Sequence, residues 1–365
     1  MFAPTRYIAW TKKFYEKVLF DLATSGTPRV RLAELAGMRD VDLDEPSAYA
    51  RLVQSVAYYN DISPAEVVPA LGTSNAIFLA YAATLSPGDE VLVEHPGYEP
   101  LIRGAENLGA VVRTFERRSS ENFRVVPERV AAAVTPRTRV IAISNLQNPT
   151  GVRTDDATLR ELATIAEARG AYLLVDEVYA PFDALALDGV FRTSARKIAD
   201  NVIAVGSLTK TYGLGMQRIG WMLGPEAVVE GANAAVVSSC GHVPLAHANL
   251  ACAAFPHVGA LSKRSLALLG KKRSLADEWV RAIPGAEWSA PAEGLYGFVT
   301  LPGRGELLPH VEAAASNDGV LVAAGTFFGI PNGFRLSWAS LDADAFATGL
   351  AKLRAAMASW DKHGS

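Results

Sequence analysis

Several polar residues in the middle of the chain follow predicted strands or turns. Asp176 follows the apolar run AYLLV, and Asn148 follows RVIAIS by a short loop. Because ligands of open α/β sheets bind beyond the carboxyl ends of the strands, one pocket can collect these side chains. They offer a nucleophilic amine, a carboxylate, neutral hydrogen-bond donors and a hydroxyl with a guanidinium for an anion. In chain order the set is Asn148, Asp176, Tyr179, Ser207, Lys210 and Arg218.

Three sequence strings carry this set, and together they resemble the signature segments of one family. NPTG (148–151), DEVY (176–179) and SLTKTYGLGMQRIGW (207–221) look like those of the fold-type-I, class I/II aminotransferases, which are pyridoxal-phosphate (PLP) enzymes of the aspartate-aminotransferase type. The spacing matches too: 28 residues separate the asparagine from the aspartate, and 8 separate the lysine from the arginine. NPTG alone would be a plausible turn, whereas three strings in this order are specific. The resemblance covers nearly the whole chain.

The resemblance implies a role for each residue around the cofactor ring. Lys210 would carry PLP as a Schiff base and then act as general base once substrate displaces it. Asp176 would keep the pyridine nitrogen protonated, so that the ring becomes an electron sink. Asn148 and Tyr179 would stabilise the ring phenolate oxygen. Lys210, Asp176 and Tyr179 are therefore the expected catalytic residues.

The same resemblance assigns the phosphate site. Ser207 and Arg218 would bind the phosphate as hydroxyl donor and cation. The string LGTSNA resembles the family loop that holds the phosphate at a helix start, which makes Gly72, Thr73 and Ser74 further candidates. An ordinary helix cap is the alternative for these three residues.

Four more positions are expected to contact the ring or the substrate. Tyr98, in HPGYEP, resembles the aromatic residue that stacks on the pyridine ring. Arg335, in GFRLSWA, is similar to the arginine that binds the substrate α-carboxylate through two nitrogens. A structural ion pair is the alternative for Arg335. Ser25 and Gly26 are expected in the N-terminal segment that closes over the substrate.

One stretch departs from the family pattern. Family members offer a tyrosine that reaches the neighbouring subunit's phosphate, but the corresponding residues 38–48 (MRDVDLDEPSA) contain none. Tyr49 and Tyr58 are nearby, although not at matching positions. The resemblance still implies a homodimer with its active site at the subunit interface, and the residue that makes the cross-subunit contact stays open.

Hydrophobic patterning predicts the elements that must position these residues. Between about residues 65 and 224, short apolar runs alternate with amphipathic segments, which indicates βαβ units and a mostly parallel buried sheet. We therefore predict an α/β, three-layer PLP-transferase large domain with a smaller α+β domain. The predicted division is an N-terminal segment joining the small domain (1–40), a large PLP-binding domain (41–235) and a small C-terminal domain (236–365). The runs are 90–94, 110–114, 139–144, 171–175, 202–205 and 219–223.

Composition excludes other classes of protein and site. The 365 residues carry a formal net charge of -3, which gives no reason to expect nucleic acid or an anionic membrane as partner. The six histidines are scattered, with no HExxH and no Cys-x-x-Cys, so no metal site is expected. Cys240 and Cys252 are expected to be buried reduced thiols. With no signal peptide or membrane-spanning run, a cytoplasmic location is expected.

The leading hypothesis is a PLP-dependent aminotransferase acting on an L-amino acid and a 2-oxo acid. Relatives that cyclise or oxidise arginine-like substrates, or a β-lyase, would keep the cofactor and change the reaction. A non-catalytic PLP-fold sensor would need an appended DNA-binding region, which the family resemblance leaves no room for. A nicotinamide-dependent dehydrogenase would need a G-x-G-x-x-G turn after an early strand, and the sequence lacks it. The substrate side chain is not predicted.

Overall fold

The structure is a computed structural model, and it describes residues 2–14, 17–291 and 294–360. The helices are α1 (Arg6–Phe14), α2 (Ala48–Asn60), α3 (Thr73–Thr84), α4 (Glu99–Asn107), α5 (Pro127–Ala133), α6 (Asp156–Glu167), α7 (Glu226–Cys240), α8 (Leu245–Ala254), α9 (Val258–Leu269), α10 (Lys272–Arg281), α11 (Leu308–Asn317) and α12 (Ala343–Met357). The strands are β1 (Phe20–Asp21), β2 (Val67–Leu71), β3 (Glu90–His95), β4 (Val111–Glu116), β5 (Thr138–Ser144), β6 (Tyr172–Asp176), β7 (Val202–Ser207), β8 (Ile219–Leu223), β9 (Glu287–Ser289), β10 (Tyr296–Thr300), β11 (Val320–Leu321), β12 (Ala323–Ala324) and β13 (Gly333–Ser337).

A seven-stranded sheet forms the centre of the larger part, in the order β2-β8-β7-β6-β5-β3-β4. The ladders from β4 to β7 are parallel, and β8 runs antiparallel to both of its neighbours. Every residue of β7 is buried, as expected for a strand covered by helices on both faces. Each predicted apolar run overlaps one of the strands β3 to β8, and the predicted mostly parallel sheet is confirmed.

Helix α6 illustrates how the sequence sets these layers. Asp155 caps its start by accepting a hydrogen bond from Thr158 N at 2.8 Å. Leu159, Leu162 and Ala166 recur at helical spacing and are buried, because this face packs onto the sheet beside α5.

A second, smaller sheet has the order β12-β13-β10-β9 and is antiparallel. The N-terminus joins this part of the molecule: β1 pairs in parallel with β11, with Phe20 opposite Val320. Tyr7 and Trp10 of α1 pack in the same core as Phe346 of α12. The small core is therefore built from both ends of the chain.

The predicted domain boundaries stay predictions. Helix α7 lies across the predicted boundary at 235/236 and packs against α3, and helix α8 beyond it packs against α2. Both α3 and α2 belong to the layers around the large sheet.

The prediction that both cysteines are buried was wrong. Cys240 is exposed and Cys252 is half-buried, and both are free thiols. Cys240 ends α7, and all residues of the last turn of that helix are exposed.

Over the described ranges, no helix has both the length and the apolar character needed to cross a membrane. The same residues contain no group of three or more His, Cys, Asp or Glu side chains that could hold a metal ion.

Candidate active site

Asp176 occupies the carboxyl edge of the large sheet, as the last residue of β6. It is buried, and its Oδ1 accepts a hydrogen bond from Val178 N at 3.1 Å. Burial raises the pKa of Asp176 to about 7, and the negative charge of Glu94 adds to the rise while Lys210 opposes it. No cation lies within ion-pair distance of Asp176 among the residues the structure describes. A positively charged, protonated group on a ligand would therefore be a suitable partner for this carboxylate.

Lys210 lies in the loop after β7, on the same edge of the sheet. Burial lowers the pKa of its amine to about 8, and the positive charges of Arg335 and Arg218 lower it further. A lowered pKa increases the fraction of neutral amine near pH 7, and only the neutral amine is a nucleophile or a base.

The N-terminal segment lies directly against Lys210. A Cβ on Gly26 would sit 3.4 Å from Lys210 Cδ, and Thr27 N donates to Lys210 O at 2.9 Å. Ser25 Oγ is 2.7 Å from Tyr179 Oη, so the same segment also contacts the DEVY string. The structure thus brings Ser25 and Gly26 to the expected active-site residues.

The start of α3 forms a close-packed corner with the end of the β7–β8 connection. A Cβ on Gly72 would meet Arg218 Nη2 at 2.4 Å, which places the guanidinium beside this glycine, and the φ of 82° at Gly72 disfavours a side chain there. A Cβ on Gly220 would meet Gly72 Cα at 2.6 Å, so Gly220 has no room for a side chain. Thr73 Oγ1 donates to Ser207 Oγ at 3.1 Å. A helix N-terminus with hydroxyls and a guanidinium beside it suits an anionic group such as phosphate.

Tyr98 and Ser74 adjoin this corner. Tyr98 is half-buried between the small core and the core under α3, and its hydroxyl is close to the Ser74 side chain. Burial raises the pKa of Tyr98, so the phenol is neutral. The aromatic residue and the phosphate loop predicted from sequence are therefore neighbours.

Asn148 links the large sheet to the small one. Its Oδ1 accepts from Arg335 Nη1 at 2.7 Å, and its N donates to Ser144 Oγ at 2.9 Å. Its Nδ2 is buried and has no hydrogen-bond partner among the described residues. A buried amide donor without an acceptor is costly unless a ligand oxygen occupies the position.

Arg335, on β13, is fully buried yet has no carboxylate within ion-pair distance in the described part of the chain. Its Nη2 donates to Tyr7 Oη at 2.6 Å and to Ala23 O at 2.8 Å. The guanidinium carbon lies 5.0 Å from the ring centroid of Tyr296 and 5.3 Å from that of Phe328. The alternative of a structural ion pair is thus not found. A buried cation held by neutral groups fits an anionic ligand.

Sequence reasoning missed two contributors to the site, Tyr7 and Glu94, and could not place a third residue, Tyr296. Tyr7 hydrogen-bonds Arg335 from 328 positions away, and no local pattern reports such a contact. Tyr296 packs edge-on against Tyr179, with ring centroids 5.0 Å apart. Glu94 ends the run EVLVE as a buried acid, and a charge inside an apolar run was the signal that could have found it.

Comparison with known proteins gives a consistent assignment. Residues 38–353 match the sequence profile described as Aminotransferase class I and II. Arginine–pyruvate transaminase AruH of Pseudomonas aeruginosa is 30% identical over 271 residues, which are 72% of this chain and 67% of that protein. Capreomycidine synthase of Streptomyces vinaceus is 29% identical over 347 residues, which are 90% and 87% of the two chains. A solved PLP-dependent aminotransferase from Streptococcus suis has the same fold, with a TM-score of 0.87, 24% identity and 100% of both chains covered.

Proposed function

This chain belongs to the class I and II aminotransferases, a family of PLP-dependent transferases, and we propose that it moves an amino group between an L-amino acid and a 2-oxo acid with Lys210 as catalytic base. One observation carries the proposal. The pKa of a buried lysine is influenced both by a buried carboxylate without a cation and by a buried guanidinium without a carboxylate. Each of these two charges has the sign that a cofactor pyridinium and a substrate carboxylate would complement.

The residues at the sheet edge fit PLP. When bound, it supplies an aldehyde that joins Lys210 as a Schiff base and a ring that withdraws electrons from the substrate's Cα. Asp176 would pair with the ring nitrogen, and the unpartnered Nδ2 of Asn148 would donate to the ring oxygen together with Tyr179. Tyr98 would stack on the ring. The expected phosphate ligands are Gly72, Thr73, Ser74, Ser207 and Arg218.

Arg335 and Asn148 would orient the substrate, and Lys210 would move its proton. Arg335 would bind the α-carboxylate through two nitrogens, beside the Asn148 amide, and so hold the Cα–H bond perpendicular to the ring. Lys210 Nζ, once released by the substrate amine, would take the proton from Cα and deliver it to the cofactor's former aldehyde carbon, two bonds from Cα across the substrate nitrogen. Ser25 and Gly26 would cover the bound substrate and keep water from it.

We further propose a cytoplasmic homodimer that shares each active site between subunits. The phosphate corner is open on one side, where Arg218 is exposed. Leu71 beside it is 36% exposed and Met216 is 58% exposed. Apolar side chains around a charged ligand site suit coverage by a second copy. The partner residue that replaces the usual tyrosine stays open.

In a second candidate reaction the residues keep the same roles, and only the last chemical step differs. The similarity to capreomycidine synthase spans more of this chain than the similarity to the transaminase does, and that relative is a synthase. A lyase or cyclase would release a product without consuming a 2-oxo acid. A screen of amino donors against several 2-oxo acids, with both products quantified, separates the two. One mole of new amino acid per mole of oxo acid consumed supports transamination, and turnover without an oxo acid contradicts it.

The role of Lys210 is tested by Lys210→Ala. We expect loss of turnover and of the absorbance of the bound cofactor at the short-wavelength edge of the visible range, with little change in melting temperature. Lys197→Ala is the control, because Lys197 pairs with Asp61 on the surface. Normal turnover in Lys210→Ala would contradict the proposed function.

A further inference from the structure

Glu94 is a fully buried carboxylate at the carboxyl end of β3. It pairs with Arg117 Nη1 at 2.6 Å, and neither side chain has any exposed surface. Burial raises the pKa of Glu94 and lowers that of Arg117, while their mutual attraction opposes both shifts. A buried ion pair gives little net stability, since desolvation offsets the attraction. Stability alone is therefore a poor explanation for this pair.

The contacts of Glu94 lead from β3 to the Asn148 loop. Its Oε1 accepts hydrogen bonds from Ser144 N at 2.7 Å and Ser144 Oγ at 2.6 Å. Ser144 Oγ in turn accepts from Asn148 N at 2.9 Å. Asn148 then accepts from Arg335. An unbroken series of hydrogen bonds thus joins Arg117 to Arg335 through Glu94, Ser144 and Asn148.

Glu94 also supports the turn that leads to Tyr98. A Cβ on Gly97 would lie 2.4 Å from Glu94 O, so the turn passes directly over this residue. Gln147 Nε2 donates to Pro96 O at 2.7 Å, which ties that turn to the Asn148 loop. The Asn148 loop is therefore linked to the Glu94 carboxylate through Ser144, and the loop that carries Tyr98 is hydrogen-bonded to the Asn148 loop and passes over the Glu94 backbone.

We propose that Glu94, acting through Ser144, is a positioning residue that holds the Asn148 amide toward the cofactor and toward Arg335. The proposal rests on the proposed function, because it assigns the unpartnered Nδ2 of Asn148 to PLP. Ser144 Oγ donates to Glu94 and accepts from Asn148 N, so both partners fix the direction of its hydroxyl. With Arg335 on Oδ1, the amide has one orientation left, with Nδ2 toward the ring.

Ser144→Ala tests the link without unpairing the buried charges. It removes the hydroxyl between Glu94 and Asn148 and leaves the Glu94–Arg117 pair intact. We expect the dissociation constant of PLP from the apoenzyme to rise by about tenfold, as for one lost hydrogen bond, and KM for the amino donor to rise similarly. Ser144→Cys should lie between the variant and the wild type, since a thiol is a weaker donor and acceptor.

Thr138→Val is the matched control on the same strand. Thr138 begins β5, is buried, and its Oγ1 accepts from a backbone N three residues away, that of Thr135, at 2.9 Å. Valine removes this hydroxyl at the opposite end of β5. We expect a fall in melting temperature comparable to that of Ser144→Ala, with PLP affinity and KM unchanged.

The outcomes separate the two proposals. If wild-type protein binds PLP but Ser144→Ala and Thr138→Val have equal PLP affinity and equal KM, the positioning role of Glu94 and Ser144 is overturned. If the wild-type apoenzyme binds no PLP at all, the proposed function itself fails.

Discussion

The two ends of strand β3 each carry a buried glutamate, and the pair are in opposite situations. Glu90, at the amino end, accepts from Thr135 Oγ1 at 2.6 Å and pairs with Arg137 and Arg113, whose side chains are 68% and 46% exposed. Glu94, at the carboxyl end, has a partner with no exposure at all. The hydrogen bond from Thr135 holds the pKa of Glu90 below its usual value, assisted by the arginines, whereas burial raises the pKa of Glu94.

The two glutamates differ in the direction of the pKa shift and therefore in how each affects stability as pH changes. A lowered pKa means that Glu90 contributes stability above the ordinary glutamate pKa, and that this contribution is lost as pH falls through the folded value. A raised pKa means that the folded state holds the proton of Glu94 more tightly, so stability falls as pH rises from the ordinary value through the folded one. The amino end of the sheet is built for stability. Glu94, at the carboxyl end, gives up stability at neutral pH, which fits the positioning role that we propose for it.

Arg335→Ala should give the largest effect of the three substitutions. Unchanged activity would contradict the assignment of the carboxyl end of the sheet to ligand binding. Removing one partner of a guanidinium–carboxylate pair in a dry site costs on the order of 2–5 kcal/mol in kcat/KM for amino acids. Lysine should not restore the loss, because it lacks the planar fork. Decarboxylated amines should lose less. The melting temperature of the free protein should fall as well, since the truncation also removes the hydrogen bonds to Asn148, Tyr7 and Ala23. Equal losses for amines and amino acids would show that Arg335 holds the small part of the molecule together instead.

Asp176→Asn should change function and stability in opposite directions. Turnover should fall by about 10²–10³-fold, comparable to the loss of one group that stabilises transition-state charge. The apoenzyme should become more stable above pH 7, on the order of 2–4 kcal/mol, because an ionised carboxylate without a cation is no longer buried. Below about pH 3 the gain should vanish, since the wild-type carboxyl is then protonated in both states. Denaturant unfolding of the two apoenzymes at several pH values measures this. A variant less stable than wild type at pH 8 would contradict the account.

Glu90→Gln should give the smallest effect and sharpen the contrast between the two strand ends. Stability at pH 7 should fall by about 1 kcal/mol, from a weakened hydrogen bond to Thr135 and exposed ion pairs of little value. PLP affinity and KM should not change, because the amino end of β3 is remote from the ligand. Chemical denaturation with a parallel PLP titration checks both. A change in PLP affinity without a change in stability would contradict the distinction between Glu90 as a stabilising residue and Glu94 as a positioning residue.

Local sequence was sufficient for the sheet and for the residues that follow its strands. The places of Asp176, Lys210 and Asn148 at the sheet edge could be predicted because a parallel strand determines where its next residues lie, whereas their roles come from the family resemblance and stay predictions. Tyr7 and its bond to Arg335 were not, because packing of the two chain ends against each other sets that contact. The exposed Cys240 was missed for a related reason: an apolar composition does not tell which turn of a helix extends past its neighbours. The predicted domain boundaries also stay predictions, because apolar composition does not tell which layer a helix at a boundary packs against.

The antiparallel pairing of β2 with β8 has a consequence for the order in which this protein can fold. The ladder joins Val67–Leu71 to Ile219–Leu223, and it closes a loop of about 150 residues. Gly72 follows one strand and Arg218 precedes the other, so the phosphate corner does not exist until this ladder forms. Contacts so distant in sequence form slowly, whereas the ladders between neighbouring strands need only local chain closure. The phosphate corner therefore depends on the pairing of two strands far apart in sequence, and a chain that holds PLP at this corner has already closed that ladder.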